Sequence, residues 1–150
     1  MAKPTTYVGS SVALFLEGTT PGTFTRPCGL TNHTITFSKN TQDITVPDCD
    51  DLEAAAWVER GVESLDMSGS GTGILAAEAV ETWWDAFKSN ESVAARLYVG
   101  EADDVTNGHY WSGNIHITGF EITGERGNKA QATISFVSDG EMTFADVTAP

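Results

Sequence analysis

The sequence predicts a mainly β protein, an antiparallel β-sandwich or half-barrel with one flanking α-helix. Several segments alternate apolar and polar residues with a period of two, which is typical of strands with one solvated face. One segment repeats its apolar residues at helical spacing, and turn signals such as Pro21-Gly22 and Asn107-Gly108 separate the elements. With 150 residues, the chain is expected to form a single domain, 1–150, around one core.

The net charge of the chain limits the kinds of partner that it is expected to bind. The chain has 8 Lys and Arg against 21 Asp and Glu, which gives a formal net charge of −13. Because nucleic-acid affinity depends on cationic side chains that displace counterions, ordinary nucleic-acid binding is not expected. The start of the chain does not have the pattern of a secretion signal, and no apolar stretch approaches the ~20 residues that span a bilayer. We therefore expect a soluble protein without membrane contact.

The segment Ser64–Thr72 predicts a strand with a small, polar face. Every second residue there is small or polar, and the intervening Leu65 and Met67 are expected to pack against the helix. The repeat then becomes helical, and a helix is predicted over about 75–88. Its apolar stripe, at the spacing i, i+3, i+4 and i+7, is expected to be buried. The stripe consists of Val80, Trp83, Trp84 and Phe87.

Three other segments deviate from a simple strand pattern. The apolar residues of a later strand change phase at Gly119, which predicts a β-bulge there. The polar residues 1–11 predict an N-terminal arm. Residues 39–60, with Pro47 and several aspartates, predict a long loop, and long ordered loops usually carry a function.

No constellation of residues points to catalysis, a cofactor or a metal. His33, His109 and His116 are far apart in the chain and lack metal-ligand spacing. The acidic group around Asp48 lacks the glycine and the spacing of an EF-hand loop, so a solvated loop is favoured over a calcium site. Because no set of nucleophile, acid and base can be assembled, the chain is predicted not to be an enzyme.

Two alternatives stay open from the residues alone. Cys28 and Cys49 lie 21 residues apart and are interpreted as unpaired thiols of a reducing compartment, but a disulfide formed late in an extracellular particle is the alternative. The alternative function is that of a carbohydrate-binding β-sandwich module. Its stacking platform would be Tyr110-Trp111, since Trp83 and Trp84 lie on or beside the helical stripe.

The order of these features resembles the major tail protein of long-tailed bacteriophages and related gene-transfer particles, which builds the tail tube. The resemblance covers the chain from residue 12 onward. It rests on a Trp and a Gly ahead of a strand ("WVERGVESLDMSGSGTG"), a helix with an aromatic end ("AVETWWDAF"), a short strand ("ARLYVGE") and the segment "YWSGNIHITGFEITGERGNKAQATISFVSDGEMTF". The implied fold is the phage tail tube fold, a β-barrel or sandwich with a flanking helix.

This resemblance implies a structural virion protein that forms hexameric rings, stacked into a hollow tube through which DNA leaves the particle. The implied partners are further copies of the chain, a tape-measure protein inside the tube, and tail terminator and baseplate or distal tail proteins at its ends. DNA passes without specific binding. The implied location is the virion tail after assembly in the host cytoplasm, and the similarity favours a non-contractile tail.

Within a tube, the polar strand faces are expected to line the channel, because carboxylates and hydroxyls give phosphate no place to bind. The expected lumen residues are Ser64, Asp66, Ser68, Ser70, Thr118, Glu121 and Thr133. The loop over 39–60 corresponds by position to the family's loop that reaches toward the adjacent ring. Its expected contact residues are Asp43, Asp48, Asp50, Asp51, Leu52 and Trp57, with Arg60, Lys39 or Arg126 of a neighbour as basic partners.

Overall fold

The computed structural model describes residues 2–18, 20–101 and 105–148. The described residues form one antiparallel sheet and one α-helix, α1 (Val80–Lys88), preceded by the 3-10 turn Ala77–Ala79; another such turn is Gly9–Ser11. The strands are β1 (Ala13–Glu17), β2 (Phe24–Thr25), β3 (Leu30–Ile44), β4 (Glu59–Ile74), β5 (Val93–Val99), β6 (His109–Thr123), β7 (Gln131–Ser138) and β8 (Thr143–Asp146). The predicted class, mainly antiparallel β with one helix, is confirmed.

The strand order is β2-β1-β5-β6-β7-β4-β3. The strand β6 is long enough to have two partners along one side, β8 over its first residues and β7 over its second half. On its other side β5 pairs with residues 109–115 only. The strands β3 and β4 form a long hairpin, and β3 lies at the edge of the sheet.

The core lies between one face of the sheet and α1. Trp83 of the helix is 1% exposed and belongs to one buried cluster with strand residues from the facing side of the sheet. We call this side the core face; it includes Met67, Ile115, Ile117, Ile134 and Phe136. The helix has Glu81 in its first turn and Lys88 in its last, the arrangement that the helix dipole favours.

The predicted helical stripe is only partly buried. Trp84 is 51% exposed and Phe87 is 41% exposed, so the prediction that they belong to the core is wrong for this chain, while Val80 is half-buried. In and beside the helix, Ala79 belongs to the same buried cluster as Trp83, and Ala86 packs against this cluster. Because alanines let the helix approach the sheet closely, one large ring fills the space, and the rings of Trp84 and Phe87 stack on each other outside, 6.0 Å apart.

The loop predicted over 39–60 is shorter than expected. Strand β3 continues to Ile44 and β4 begins at Glu59, so the loop is 45–58. Strand β7 pairs with β4 only from Ser68 onward, and the hairpin therefore extends beyond the sheet as a two-stranded ribbon. We call residues 38–66 the ribbon and residues 45–58 its tip.

The position of the ribbon also explains an error in the strand prediction. Met67 is buried as expected, but Leu65 is 72% exposed, because β4 has already left the sheet at this point. The β-bulge predicted at Gly119 is confirmed: Ile117 pairs with Phe136 and Gly119 with Ser135, which leaves Thr118 as the extra residue.

The N-terminal segment runs over the surface. Residues 2–8 are exposed and lack regular structure, and the hydroxyl of Tyr7 donates to the carbonyl oxygen of Asn107 at 2.7 Å. Residue 1 of the predicted arm lies outside the described residues. Within the described ranges, no helix has the length and apolar character needed to cross a membrane.

Candidate functional site

In β4, glycines at alternate positions lie on the core face of the sheet, and the residues between them lie on the opposite, polar face. A Cβ atom on Gly69 would lie 2.5 Å from the ring of Phe136 and 2.5 Å from the carbonyl oxygen of Thr34. The core-face position must therefore stay without a side chain, since Phe136 already fills the space. The intervening residues, Ser68 and Ser70, lie on the opposite side of the strand.

The strand register joins the polar rows of four strands into one surface, because directly opposed residues of an antiparallel pair share a face. Ser70 is opposite Thr34 of β3 and Ser135 of β7, and Thr133 of β7 is opposite Glu121 of β6. We call this surface the polar face. It includes Asn32, Thr34, Thr36, Ser38, Asn40, Ser64, Asp66, Ser68, Ser70, Thr72, His116, Glu121, Thr123, Thr133 and Ser135.

Six of the seven residues expected to line a channel lie together on this face. They are Ser64, Asp66, Ser68, Ser70, Glu121 and Thr133. Thr118 is exposed but is the extra residue of the bulge, so it has no partner in the β6–β7 register. The polar row of β3 also belongs to this face, and the alternation of Thr34 and Thr36 with Ile35 is its signal in the sequence.

The polar face is acidic where it is charged. The side-chain oxygen Oδ1 of Asp66 accepts a hydrogen bond from the backbone N–H of Met67 at 2.9 Å and one from the hydroxyl of Ser138 at 3.4 Å. Thr123 donates to Glu121 Oε1 at 3.5 Å. The imidazole of His116 lies 3.3 Å from a carboxylate oxygen of Asp139. Because none of the positions on this face is Lys or Arg, the surface offers phosphate no permanent cation.

Two unpaired strand edges border the polar face. Within the described residues, β3 pairs only with β4, so its other side is open along 15 residues. On the opposite border, β5 reaches only to Ile115, and the second half of β6 has β7 on one side and an open edge on the other. Long unpaired edges are templates for pairing with another chain.

The residues expected to contact an adjacent ring all lie on the ribbon. Asp43 forms an ion pair with Arg60 across the hairpin, at 3.2 Å, so this arginine already has a partner in its own chain. At the tip, Leu52 is 73% exposed and Trp57 is 92% exposed. The tip also carries the exposed carboxylates Asp48, Asp50 and Asp51.

The aromatic residues of the alternative function do not form a free platform. Trp111 is half-buried, and its ring lies 5.0 Å from that of Phe37 and 5.4 Å from that of Phe144. The ring of Tyr110 contacts Tyr98 at 5.2 Å and the Arg96 guanidinium at 5.0 Å. Since neighbouring side chains already occupy these rings, a sugar ring would have to displace them.

The histidines and cysteines are dispersed. Burial, and secondarily the charge of Arg26, lowers the pKa of His33 below its usual value. His109 Nδ1 lies 2.6 Å from Asp146 Oδ1, and Cys28 and Cys49 are exposed, free thiols. In the part of the chain that the structure describes, no group of three or more His, Cys, Asp or Glu is placed to hold a metal ion.

A sheet with a polar face, two open edges and a projecting ribbon defines a structural protein built for assembly. A family model described as phage tail tube protein matches residues 9–144, and the chain belongs to this family. It is a structural protein of the virion tail and not an enzyme. No match was found among curated proteins.

Three solved structures share the fold at low identity. The tail of an empty GTA particle, obtained by helical refinement with C6 symmetry, is 20% identical with a TM-score of 0.70, over 93% of this chain and 99% of that chain. The virion of a native gene transfer agent particle gives a TM-score of 0.74 at the same identity and coverage. The SPP1 tail tube gives a TM-score of 0.65 at 12% identity, over 97% of this chain and 81% of that chain.

Proposed function

We propose that this chain forms hexameric rings, that the rings stack into a hollow tail tube, and that the polar face lines the channel through which DNA is delivered. The observation that carries this proposal is that the polar face and the two open edges belong to the same four strands, β3, β4, β7 and the second half of β6. When copies pair edge to edge, the unpaired backbone groups of both edges gain hydrogen-bonding partners. The polar faces of the copies then form one continuous wall.

The direction of the strands is compatible with a closed ring. Along β6, β7, β4 and β3 each strand is antiparallel to the next, so β3 of one copy can continue the alternation by pairing with β6 of its neighbour. Four strands from each of six copies, about 4.8 Å apart, give a circumference of about 115 Å and a diameter of about 37 Å, and strand tilt widens the barrel further. The C6 symmetry of the GTA tail, which shares the fold, supports six copies.

The ribbon supplies the contact between rings. A two-stranded ribbon is marginally stable in water on its own, and this one carries exposed apolar side chains at Val62, Leu65 and its tip. Contact with a copy in the adjacent ring covers these side chains and stabilises the ribbon. We therefore assign stacking to the ribbon, with Leu52 and Trp57 as its apolar anchors.

The proposed channel wall offers DNA few groups to which it can bind. Serine and threonine hydroxyls are small and uncharged, and Asp66 and Glu121 repel phosphate, so DNA passes without specific binding. In a virion the further partners are a tape-measure protein inside the tube and terminator and baseplate or distal tail proteins at its ends. We assign its assembly to the host cytoplasm and the tail to the non-contractile type.

The channel assignment is tested by reversing its charge. Particles whose tube carries both Asp66→Lys and Glu121→Lys should eject DNA more slowly than wild type, because the lysines bind passing phosphates. The matched control, Glu91→Lys with Glu101→Lys, makes the same change in net charge away from the polar face. Ejection followed by the fluorescence of a DNA-binding dye gives the rate. Equal rates for the two double variants would remove these residues from the channel.

A further inference from the structure

The two cysteines lie at opposite ends of the same hairpin. Cys28 precedes β3, and Cys49 lies in the tip of the ribbon; both thiols are exposed. Because β3 has 15 residues and a strand rises about 3.3 Å per residue, the two ends are about 50 Å apart along the strand. A disulfide requires Cα atoms within about 7 Å, so these cysteines cannot pair within one copy.

Stacking brings unlike ends of the hairpin together; this step rests on the proposed function. If β3 and β4 run from one rim of a ring to the other, the tip projects beyond one rim and the base of the hairpin lies at the opposite rim. In a head-to-tail stack, the contact between rings is heterologous, so the tip of one copy meets the base rim of a copy in the next ring. Cys49 then approaches the end of the sheet that carries Cys28.

The base rim combines the turn at Cys28 with the turn between β6 and β7. The backbone N–H of Ile74 donates to Gly29 at 3.0 Å, and that of Leu75 donates to Ala130 at 2.9 Å, which holds both turns beside the end of β4. This rim carries Arg26, Arg126 and Lys129, three of the chain's 8 basic residues, together with Glu17, Glu78 and Glu125.

The acidic tip has possible partners on this rim in its three basic residues. Residues 45–58 contain four acidic residues, Asp48, Asp50, Asp51 and Glu53, and no Lys or Arg. Beside Cys28 a cavity of about 340 Å³ has an apolar part formed by Leu16, Pro27 and Ala79 and a charged part formed by Glu17, Arg26 and Glu78. The exposed Leu52 lies three residues from Cys49 and supplies an apolar side chain of suitable size for such a cavity.

The tip holds Cys49 in a defined turn. The backbone N–H of Asp50 donates to Asp48 Oδ1 at 2.9 Å, and that of Glu53 donates to Asp51 Oδ1 at 3.3 Å. The first bond closes a turn around Cys49, and the second closes another turn just after it. A turn ordered in this way presents its thiol at reduced entropic cost.

We propose that Cys49 of one copy forms a disulfide with Cys28 of a copy in the adjacent ring after the particle leaves the reducing cytoplasm. Two S–H bonds break and one S–S bond forms. The two electrons and two protons pass to dissolved dioxygen, which is reduced to hydrogen peroxide. Because every copy carries both thiols, the bonds link copies into covalent chains along the tube, which resist separation of the rings. Oxidising surroundings such as the virion exterior preserve such bonds.

The test uses tubes assembled from the full-length protein under reductant, then freed of reductant and exposed to air. A non-reducing denaturing gel should show a ladder of dimers, trimers and longer chains, which dithiothreitol returns to monomer. Tubes of Cys28→Ser alone or of Cys49→Ser alone should run as monomers. Tubes assembled from an equal mixture of the two variants should show dimers and nothing longer, because each dimer uses the one available thiol of each copy.

Three results would overturn the disulfide. Dimers in tubes of a single variant would show that like cysteines pair. If wild-type tubes run entirely as monomers on the gel after oxidation, the tube exists but the disulfide between rings does not. A protein that forms no rings or tubes under reductant, as seen by electron microscopy, would remove the stacking contact itself and with it both the link and the proposed function.

Discussion

At the scale of single residues, Gly69 separates the core from the polar face. The substitution Gly69→Ala places a methyl group 2.5 Å from the Phe136 ring and from the Thr34 carbonyl oxygen, so the free energy of unfolding should fall by about 1–3 kcal/mol. Urea unfolding measures the loss. Gly124→Ala is the matched control, since no atom beyond the adjoining residues lies within 4 Å of its new methyl group. An equal loss in both variants would contradict the close packing behind β4.

Adjacent tryptophans provide a second comparison. Trp83→Ala removes a ring that is 1% exposed and should lower the free energy of unfolding by about 3–5 kcal/mol. Trp84→Ala removes a half-exposed ring, and the loss in the isolated chain should stay below about 1.5 kcal/mol. Urea unfolding of the monomers distinguishes them. If Trp84→Ala were the more damaging, the helix would face the sheet with the other side.

His33 predicts how stability responds to acid. Burial and Arg26 lower its pKa in the folded state below the usual value of about 6.5, so the unfolded chain binds this proton more readily. The contribution of neutral His33 is present above that value and is lost as the pH falls below it. The Tm should therefore fall less for His33→Gln than for wild type between about pH 7.5 and about pH 5.5. Equal falls would show that His33 does not report on folding.

At the scale of elements, the ribbon tip can be removed without disturbing the sheet. Replacing residues 46–57 by Asn-Gly closes the hairpin with a two-residue turn, because Ile44 and Glu59 are already paired. The Tm of the monomer should change little, while sedimentation should show that long tubes are lost. Leu52→Ser with Trp57→Ser is the companion variant, which keeps the loop length and should weaken stacking. Tubes of normal length from the shortened chain would exclude the tip from stacking.

The sequence allowed prediction of those elements whose side chains alternate. The period of two in β4 and the phase change at Gly119 predicted a strand and a bulge that the structure contains. The ribbon was missed because residues 40–43 are all polar, and its ladder depends on cross-strand partners that no local pattern encodes. The stripe residues are apolar as predicted, but the helix is rotated about its axis relative to the prediction. The small Ala79 and Ala86 determine which side of the helix approaches the sheet.

The candidate site could likewise be predicted from local alternation only in part. The polar rows on β4, β6 and β7 could be predicted separately from their alternation. Their union into one face could not, because it depends on which strands are neighbours; β7 lies between β4 and β6 although it follows both in the chain. The open edges were equally hidden, since an edge is defined by the partner that a strand lacks.

At the scale of the whole molecule, the isolated chain leaves much of its surface unsatisfied. Within the described residues, the chain has open edges at β3 and at the second half of β6, an exposed pair of stacked aromatic rings on α1, and a ribbon with apolar side chains in solvent. A soluble monomer normally protects such edges. The proposed pairing of β3 with β6 of a neighbour, together with the proposed stacking through the ribbon, gives the edges hydrogen-bonding partners and covers the ribbon in one assembly.

Electron cryomicroscopy of the purified protein over a concentration series is the most direct test of the proposed tube. We expect hollow tubes with six-fold end views, in which β3 of one copy pairs with β6 of the next and the face that carries Asp66 and Glu121 surrounds the channel. Monomers at every concentration, or tubes in which this face points outward, would contradict it.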